Sequence, residues 1–175
     1  MDETKKQRAI LVDLDSTLCN CDHRVHHIKT DKTPNADRKG KKNWMKFYEE
    51  LVNDTPNSWC VELIRGMAHI GVIPLYVTGR PQEYEYITLK WFGDQFPLMP
   101  MDNPHFVFCE QYVASHLFMR ADKDYRKDCI VKEELYRTFI EPKYDIVFAL
   151  DDRKQVYQHF RKIGLTCLAC AEGDH

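Results

Sequence analysis

The sequence predicts an open α/β sheet of parallel strands with helices on both faces, and two observations carry that expectation. Short apolar runs of strand length alternate with segments of helical period along almost the whole chain, which is the pattern of parallel strands covered on both sides. Polar residues also stand at the carboxyl ends of those runs, namely Asp13, Asp15, Thr78, Asp151 and Asp152. An open α/β sheet gathers its functional groups at that edge.

Residues 8–15 (RAILVDLD) are an apolar run ending in carboxylates and read as a buried strand. From Asn20 to Lys42 the chain is polar and basic without a hydrophobic period, which suggests a loop or small insertion. Residues 43–52 (NWMKFYEELV) place Trp44, Phe47, Tyr48 and Leu51 on one helical face. Pro56 is expected to open a second helix reaching about Ile70, closed by Gly71. Residues 72–77 (VIPLYV) form the next strand, broken by Thr78-Gly79-Arg80-Pro81, and a helix follows from Gln82 to Phe92. Apolar runs at 105–109 and 116–119 are short strand candidates.

Residues 127–140 carry Ile130, Val131, Leu135 and Phe139 at helical spacing. A strand at 144–150 (YDIVFAL), a helix at 153–163 stopped by Gly164 and a strand at 165–170 (LTCLAC) complete the series. Crossovers in such a sheet are right-handed, so the strand ends line up along one edge. No repeat or low-complexity linker interrupts the pattern. Residues 1–175 are therefore expected to form one domain, with 20–54 as a small, basic, cap-like insertion of loop and helix.

At 175 residues and 20.8 kDa the chain can bury a sizeable core. Lys and Arg number 25 against 27 Asp and Glu, so a generally basic protein that coats nucleic acid is excluded and any such contact must come from a local patch. The seven cysteines are scattered among apolar runs, MDETKKQRAI lacks a signal-peptide core, and no stretch has membrane-spanning length. Reduced thiols and a cytoplasmic protein are the expectation.

The strand ends bring together Asp13 and Asp15, Thr78, and the pair Asp151-Asp152, with Lys132 on the helix before the last of these strands. Carboxylates crowded at one edge repel unless a cation joins them, and an all-oxygen set suits Mg²⁺, which also takes a substrate phosphate. Asp13 can attack as a nucleophile while Asp15 protonates the leaving oxygen. Thr78 and Lys132 can hold phosphoryl oxygens. Taken singly, a D-x-D-x-T string can be a surface turn and an Asp-Asp pair a helix N-cap. Their conjunction, in an order one sheet can assemble, selects the chemical reading.

VDLDSTL at 12–18, VTGR at 77–80, Lys132 and LDD at 150–152 resemble the four motifs of the haloacid dehalogenase (HAD) superfamily. That resemblance implies a Rossmann-like sheet and phosphatase chemistry through an aspartyl-phosphate. Ser16 departs from it, since many members carry glycine there. DHR at 22–24, VTGRP at 77–81, RKDCIVKEE at 126–134 and ALDDRKQVYQHFRKIGLTCLACAEGD at 149–174 resemble, more closely, the 3′-phosphatase domain of bacteriophage-type polynucleotide kinase–phosphatases. The resemblance implies that Arg24 and Arg80 bind the phosphate or adjacent substrate and that Asp128 orients Lys132 or an arginine. It also implies Mg²⁺ on Asp152, with Asp13, Asp15 and Asp151 in the metal network. The chain contains no G-x-x-x-x-G-K-[ST] loop, so a phosphatase unit without an ATP-binding kinase module is expected.

Arg24, Lys29, Lys32, Arg38, Lys39, Lys41, Lys42 and Lys46 make residues 24–46 basic. This stretch could touch a nucleic-acid backbone, with Trp44, Phe47 or Tyr48 for stacking, although the helical spacing of the aromatics fits a core better. A second cluster (Arg120, Lys123, Arg126, Lys127) has two aspartates interleaved. Cys167 and Cys170 form a C-x-x-C without a second pair, and His23, His26 and His27 lie close together; neither set demands zinc. The expected substrates are nucleic-acid ends, DNA or RNA, or else mononucleotides if the chain is a nucleotidase or small-molecule phosphatase. A phosphorylated receiver domain would carry its acidic pair first and its phosphorylated aspartate later, the reverse of the order here. A catalytically silent binding module would not need a candidate for every catalytic role.

Overall fold

The computed structural model describes residues 6–29, 42–96 and 104–173. In chain order the elements begin with β1 (Gln7–Val12), β2 (Cys19–Asn20), α1 (Asp22–Val25), α2 (Trp44–Glu49) and β3 (Thr55–Pro56). They continue with α3 (Ser58–His69), β4 (Ile73–Pro81), α4 (Glu85–Gln95), α5 (Glu110–His116) and β5 (Leu117–Arg120). The last four are α6 (Asp128–Leu135), β6 (Tyr144–Arg153), α7 (Lys154–Lys162) and β7 (Cys167–Gly173).

β1 is the central strand of a five-stranded sheet in the order β5-β4-β1-β6-β7, and every neighbouring pair is parallel. Its side chains alternate between two cores, as a strand buried on both faces must. Ile10 and Val12 pack with Tyr76 and Leu150 against Ile64 of α3, Trp91 and Phe92 of α4 and Val113 of α5. Ala9 and Leu11 pack with Leu75 and Val77 against Cys129 of α6 and Val156 and Phe160 of α7. α7 shows why its sequence is helical: Val156 and Phe160, four apart, are buried while Lys154, Gln158, Arg161 and Lys162 are exposed. A left-handed Gly164 (φ 94°) follows it. The fold is the α/β sheet that the alternation predicts.

The insertion is built on a small antiparallel pair, with Cys19 opposite Pro56 and Asn20 opposite Thr55. Between these strands α1 and α2 close a third, minor core of Cys21, Val25, Ile28, Phe47 and Tyr48, against which Tyr84 packs from outside. Phe47 and Tyr48 are buried, as helical spacing suggests, whereas Trp44 is 40% exposed. Lys32, Arg38, Lys39 and Lys41 of the basic stretch lie outside the described residues.

Several boundaries differ from the sequence reading, each for a local reason. Pro56 does not open α3; it belongs to β3, and the helix begins at Ser58 after Asn57, whose side-chain amide donates to Thr17 O. The 105–109 run is not a strand, since Pro104–Phe108 coil as a 3₁₀ helix with Val107 and Phe108 buried under the sheet. Thr78-Gly79-Arg80-Pro81 does not end β4, but the register with β5 shifts between Thr78 and Pro81. The 127–140 helix divides into α6 and a single wider π turn at Tyr136–Ile140.

After β1 the chain turns sharply, with Thr17 N and Cys19 N both donating to Leu14 O at 3.1 and 2.8 Å. Ser16 at the apex has φ 63°, a left-handed conformation that costs a side-chain-bearing residue roughly 1–2 kcal/mol. That is a physical reason for glycine at this place in the motif. A contact of Ser16 Oγ with Cys21 Sγ at 3.0 Å offsets part of the strain. Ser16→Gly is expected to raise stability by about 0.5 kcal/mol, the relieved strain exceeding glycine's entropic cost of about 0.5–1 kcal/mol; urea midpoints at unchanged slope would measure it.

Candidate active site

Asp13 is the first residue beyond β1, and its backbone N–H donates to Leu150 O at 3.1 Å. That bond fixes the end of β1 beside the end of β6, where Asp151 and Asp152 stand. Oxygens of Asp13, Asp151 and Asp152 all lie within 4.8 Å of one another, and all three residues are buried. Lys132, four residues into α6, enters this group from the other side of the sheet edge. Its Nζ donates to Asp13 Oδ1 at 2.6 Å and to Asp151 Oδ2 at 2.7 Å, and lies 3.4 Å from Asp128 Oδ2 one turn earlier.

Asp128 is a hub. It accepts from Arg120 Nη2 at 2.9 Å and from Arg153 Nη1 at 3.3 Å, so it meets Lys132 and two arginines together. Gly79 makes room for it, since a Cβ there would collide with the Asp128 carboxylate. Thr78, in β4, is 1% exposed and its Oγ1 accepts from Arg80 N at 3.2 Å. The hydroxyl proton is therefore left for another acceptor.

Electrostatics sets the state of these groups. Burial is the largest influence on Asp13 and pushes its carboxyl up to about 7, with Lys132 pulling the other way and Asp151 adding to the rise. Burial and the nearby Asp13 carboxylate push Asp152 up to about 7. Burial also raises Asp151 to about 6 against the pull of Lys132. The carboxylates around Lys132 (Asp13, Asp128, Asp151, Asp152) outnumber the cations that face them (Lys132, Arg120, Arg153). Asp152 Oδ1 is buried with no hydrogen-bond partner, an arrangement that ordinarily costs about 1–3 kcal/mol. An excess of hard oxygen donors with one orphaned oxygen fits a small divalent cation such as Mg²⁺.

Asp15, Arg24 and Arg80 form a separate knot beside this group, and a residue the sequence reading missed completes it. Arg24 donates to Asp54 Oδ1 at 2.6 Å through Nε, and through Nη2 to Asp15 Oδ1 and Asp54 Oδ2, both at 2.5 Å. Arg80 Nη2 donates to Asp15 Oδ1 at 2.6 Å and to Asp54 Oδ2 at 3.4 Å. Both arginines are 0% exposed, and Arg24 lies over the Phe47 ring. Among the described residues neither lines the cavity above the carboxylates. They bond to Asp15 and Asp54, and Asp15 itself lines the cavity. Arg24 is not a solvated loop residue. Burial works against an ionised Asp15, but Arg80 and Arg24 outweigh it and hold this carboxyl well below the usual range. Its carboxylate is engaged by the arginines, while the carboxylate oxygens that cluster within 4.8 Å are those of Asp13, Asp151 and Asp152. Asp54 gave no sequence signal, since N-D-T-P after a helix reads as an ordinary turn.

The cavity over the carboxylates has a volume of about 880 Å³, within the range of small-molecule sites. Asp13, Asp15, Asp128 and Asp152 form its floor; Trp44, Tyr48 and Tyr84 border it on the insertion side, and the 120–127 loop borders it as well. Tyr48 stacks near Trp44 and Tyr84, with centroids 5.9 and 4.7 Å apart.

A family model described as the polynucleotide kinase PNKP phosphatase domain matches residues 7–175. A chain in the structure of the Pnkp1/Rnl/Hen1 RNA repair complex is similar with a TM-score of 0.64 and 25% identity, over 100% of this chain and 46% of that one. A chain of a second Pnkp1/Rnl/Hen1 complex gives 0.65 and 24%, over 99% and 49%. The class C acid phosphatase from Bacillus anthracis shares the fold with a TM-score of 0.57 and 19% identity, over 88% of this chain and 55% of that one. The chain thus spans less than half the length of the RNA repair chains it matches.

Two substitutions separate the two knots. Asp54→Ala leaves Arg24 and Arg80 buried with Asp15 as their shared carboxylate, and a loss of about 3–5 kcal/mol in unfolding free energy is expected by chemical denaturation. Gly79→Ala displaces Asp128 and with it Lys132. A fall of about 100-fold in kcat on an aryl phosphate is expected, since a shift near 1 Å has that effect on a positioned group.

Proposed function

Because the chain belongs to the polynucleotide kinase PNKP phosphatase-domain family of HAD-type phosphatases, we propose that it removes 3′-phosphates from polynucleotide ends, using Mg²⁺ and Asp13 as nucleophile. The observation that carries this reading is the meeting of Asp13 and Asp152, which line one cavity large enough for a nucleotide, with the buried Lys132 and Asp151.

Asp13, Asp151 and Asp152 would hold the metal, and a bound Mg²⁺ supplies positive charge to the phosphoryl oxygens. Lys132 positions the Asp13 carboxylate for in-line attack on phosphorus, and the bond from phosphorus to the leaving 3′-oxygen breaks. Thr78, whose hydroxyl proton is free, donates to a phosphoryl oxygen. The phosphate dianion arriving beside Asp15 opposes the ionised form that Arg24 and Arg80 favour, so Asp15, two residues from the nucleophile, takes up a proton with substrate bound and gives it to the departing oxygen. In its carboxylate form, which Arg24 and Arg80 favour, it then takes a proton from the water that cleaves the acyl phosphate, so each turnover restores it. On this reading Arg24 and Arg80 are positioning residues for Asp15, and Asp128 positions Lys132. Residues 20–54 act as the cap, closing one side of the cavity with Trp44 and Tyr48. The seven thiols are free, which suits a reducing compartment such as the cytoplasm. Among the described residues no helix is long and apolar enough to cross a membrane.

The fold is shared with an acid phosphatase, and a mononucleotide would also fit the cavity, so the test includes both substrate sizes. Phosphate release is measured from 3′- and 5′-phosphorylated RNA oligonucleotides and their DNA counterparts, and from a 3′-mononucleotide, with and without Mg²⁺. RNA is included because the relative at 25% identity sits in an RNA repair complex. Release from the 3′ end alone, dependent on Mg²⁺ and reduced at least about 10³-fold in Asp13→Asn, is expected. Preference for the mononucleotide would move the assignment to a nucleotidase. Undiminished release by Asp13→Asn would refute the nucleophile.

A further inference from the structure

The loop between β5 and α6, residues 121–127 (ADKDYRK), borders the cavity yet plays no part in the chemistry at its floor. In sequence two aspartates are interleaved with its two lysines and one arginine. The structure distributes them differently. Asp122 accepts the backbone N–H of Glu83 at 2.7 Å. Asp124 accepts from Arg126, whose Nη1 also reaches Glu134 at 2.6 Å. Lys123 and Lys127 make no ion pair among the described residues, so the loop presents two uncompensated ammonium groups at the rim.

Tyr125 stands between them and is 92% exposed. Although exposed, it is on a braced segment. Arg120 donates to Asp124 O at 3.1 Å, to Arg126 O at 2.8 Å and to Gly79 O at 2.9 Å, and Asp124 N donates back to Ala121 O at 3.2 Å. Lys123 is held at φ 61°, a conformation that the surrounding bonds must enforce on a side-chain-bearing residue. An aromatic ring exposed on a braced backbone, with Lys123 and Lys127 on either side in sequence, has no packing role to explain it.

We infer that residues 121–127 are a strand-holding element, in which Tyr125 stacks a base of a single-stranded polynucleotide and Lys123 and Lys127 take its phosphates. Aromatic rings interleaved with cations are what a sequence-tolerant single-strand surface requires. Trp44, borders the same cavity from the insertion, so the terminal nucleotide has an aromatic neighbour inside while Tyr125 meets a nucleotide further from the end. Arg120 bonds both this loop and Asp128, which faces Lys132, so the rim and the floor share one support. This inference rests on the polynucleotide reading proposed above.

The test compares wild type, Tyr125→Ala, Tyr125→Phe and the pair Lys123→Gln/Lys127→Gln. The substrates are a single-stranded 3′-phosphorylated decanucleotide and the matching 3′-mononucleotide, over a range of KCl. Tyr125→Ala is expected to lower the decanucleotide-to-mononucleotide ratio of kcat/KM by about 10-fold, through KM, the effect of one lost stack. Tyr125→Phe restores the ratio. The lysine pair is expected to flatten the dependence of log(1/KM) on log[KCl] for the decanucleotide by about 1.4, two single-strand phosphate contacts. If wild type prefers the decanucleotide and no variant changes the ratio or the salt slope, the loop inference is overturned and the polynucleotide reading survives. If wild type itself does not prefer the decanucleotide, both are overturned.

Discussion

The buried ammonium of Lys132 holds the functional edge of this molecule together. At 1% exposure it has no water to replace its hydrogen bonds, so its position is dictated by the carboxylates it meets. An unpaired charge there would cost several kcal/mol. Asp13 comes from the end of β1, Asp151 from the end of β6 and Asp128 from one turn earlier on its own helix. One cation thereby fixes the spacing of two strands and the docking of α6. The dependence reaches into β4, because Asp128 can occupy its place only while Gly79 lacks a side chain.

A second buried knot solves a different problem. Asp15, Asp54, Arg24 and Arg80 carry two charges of each sign and satisfy one another. Arg24 and Asp54 belong to the insertion, Asp15 to the turn after β1 and Arg80 to β4. The knot therefore attaches the insertion to the sheet at the place where Asp15 has to be oriented. The two knots differ in their balance of charge, the one around Lys132 having an excess of carboxylate and the other none.

The sheet was legible because it obeys simple periodicities. The runs around Leu11, Leu75 and Phe148 are too apolar for anything but buried strands between helices, and Asp13, Thr78, Asp151 and Asp152 mark their ends. What escaped was of another kind. The apolar run HFVFC looks like a strand because periodicity alone cannot separate a short buried strand from a buried helical turn. Pro56 is acceptable to a helix start and to a short edge strand alike. Arg24 and Arg80 illustrate the deeper limit: a sequence announces a cation, and only packing reveals which carboxylates hold it. Asp54 was invisible for the same reason. The aspartates interleaved in the 121–127 loop did not reveal which cations they engage, because neighbours in sequence need not be neighbours in charge.

The central place of β1 also has a consequence in time. Its two flanking strands are β4 and β6, and the second of these, Tyr144–Arg153, is far from it in sequence. A chain emerging from the ribosome amino end first presents Asp13 well before Lys132, which lies 119 residues later, and before Asp151. Until then β1 has one open side, with its N–H and C=O groups on that side unpaired. A growing chain is thus chemically silent and exposed along its most apolar strand, and both conditions end together when β6 docks.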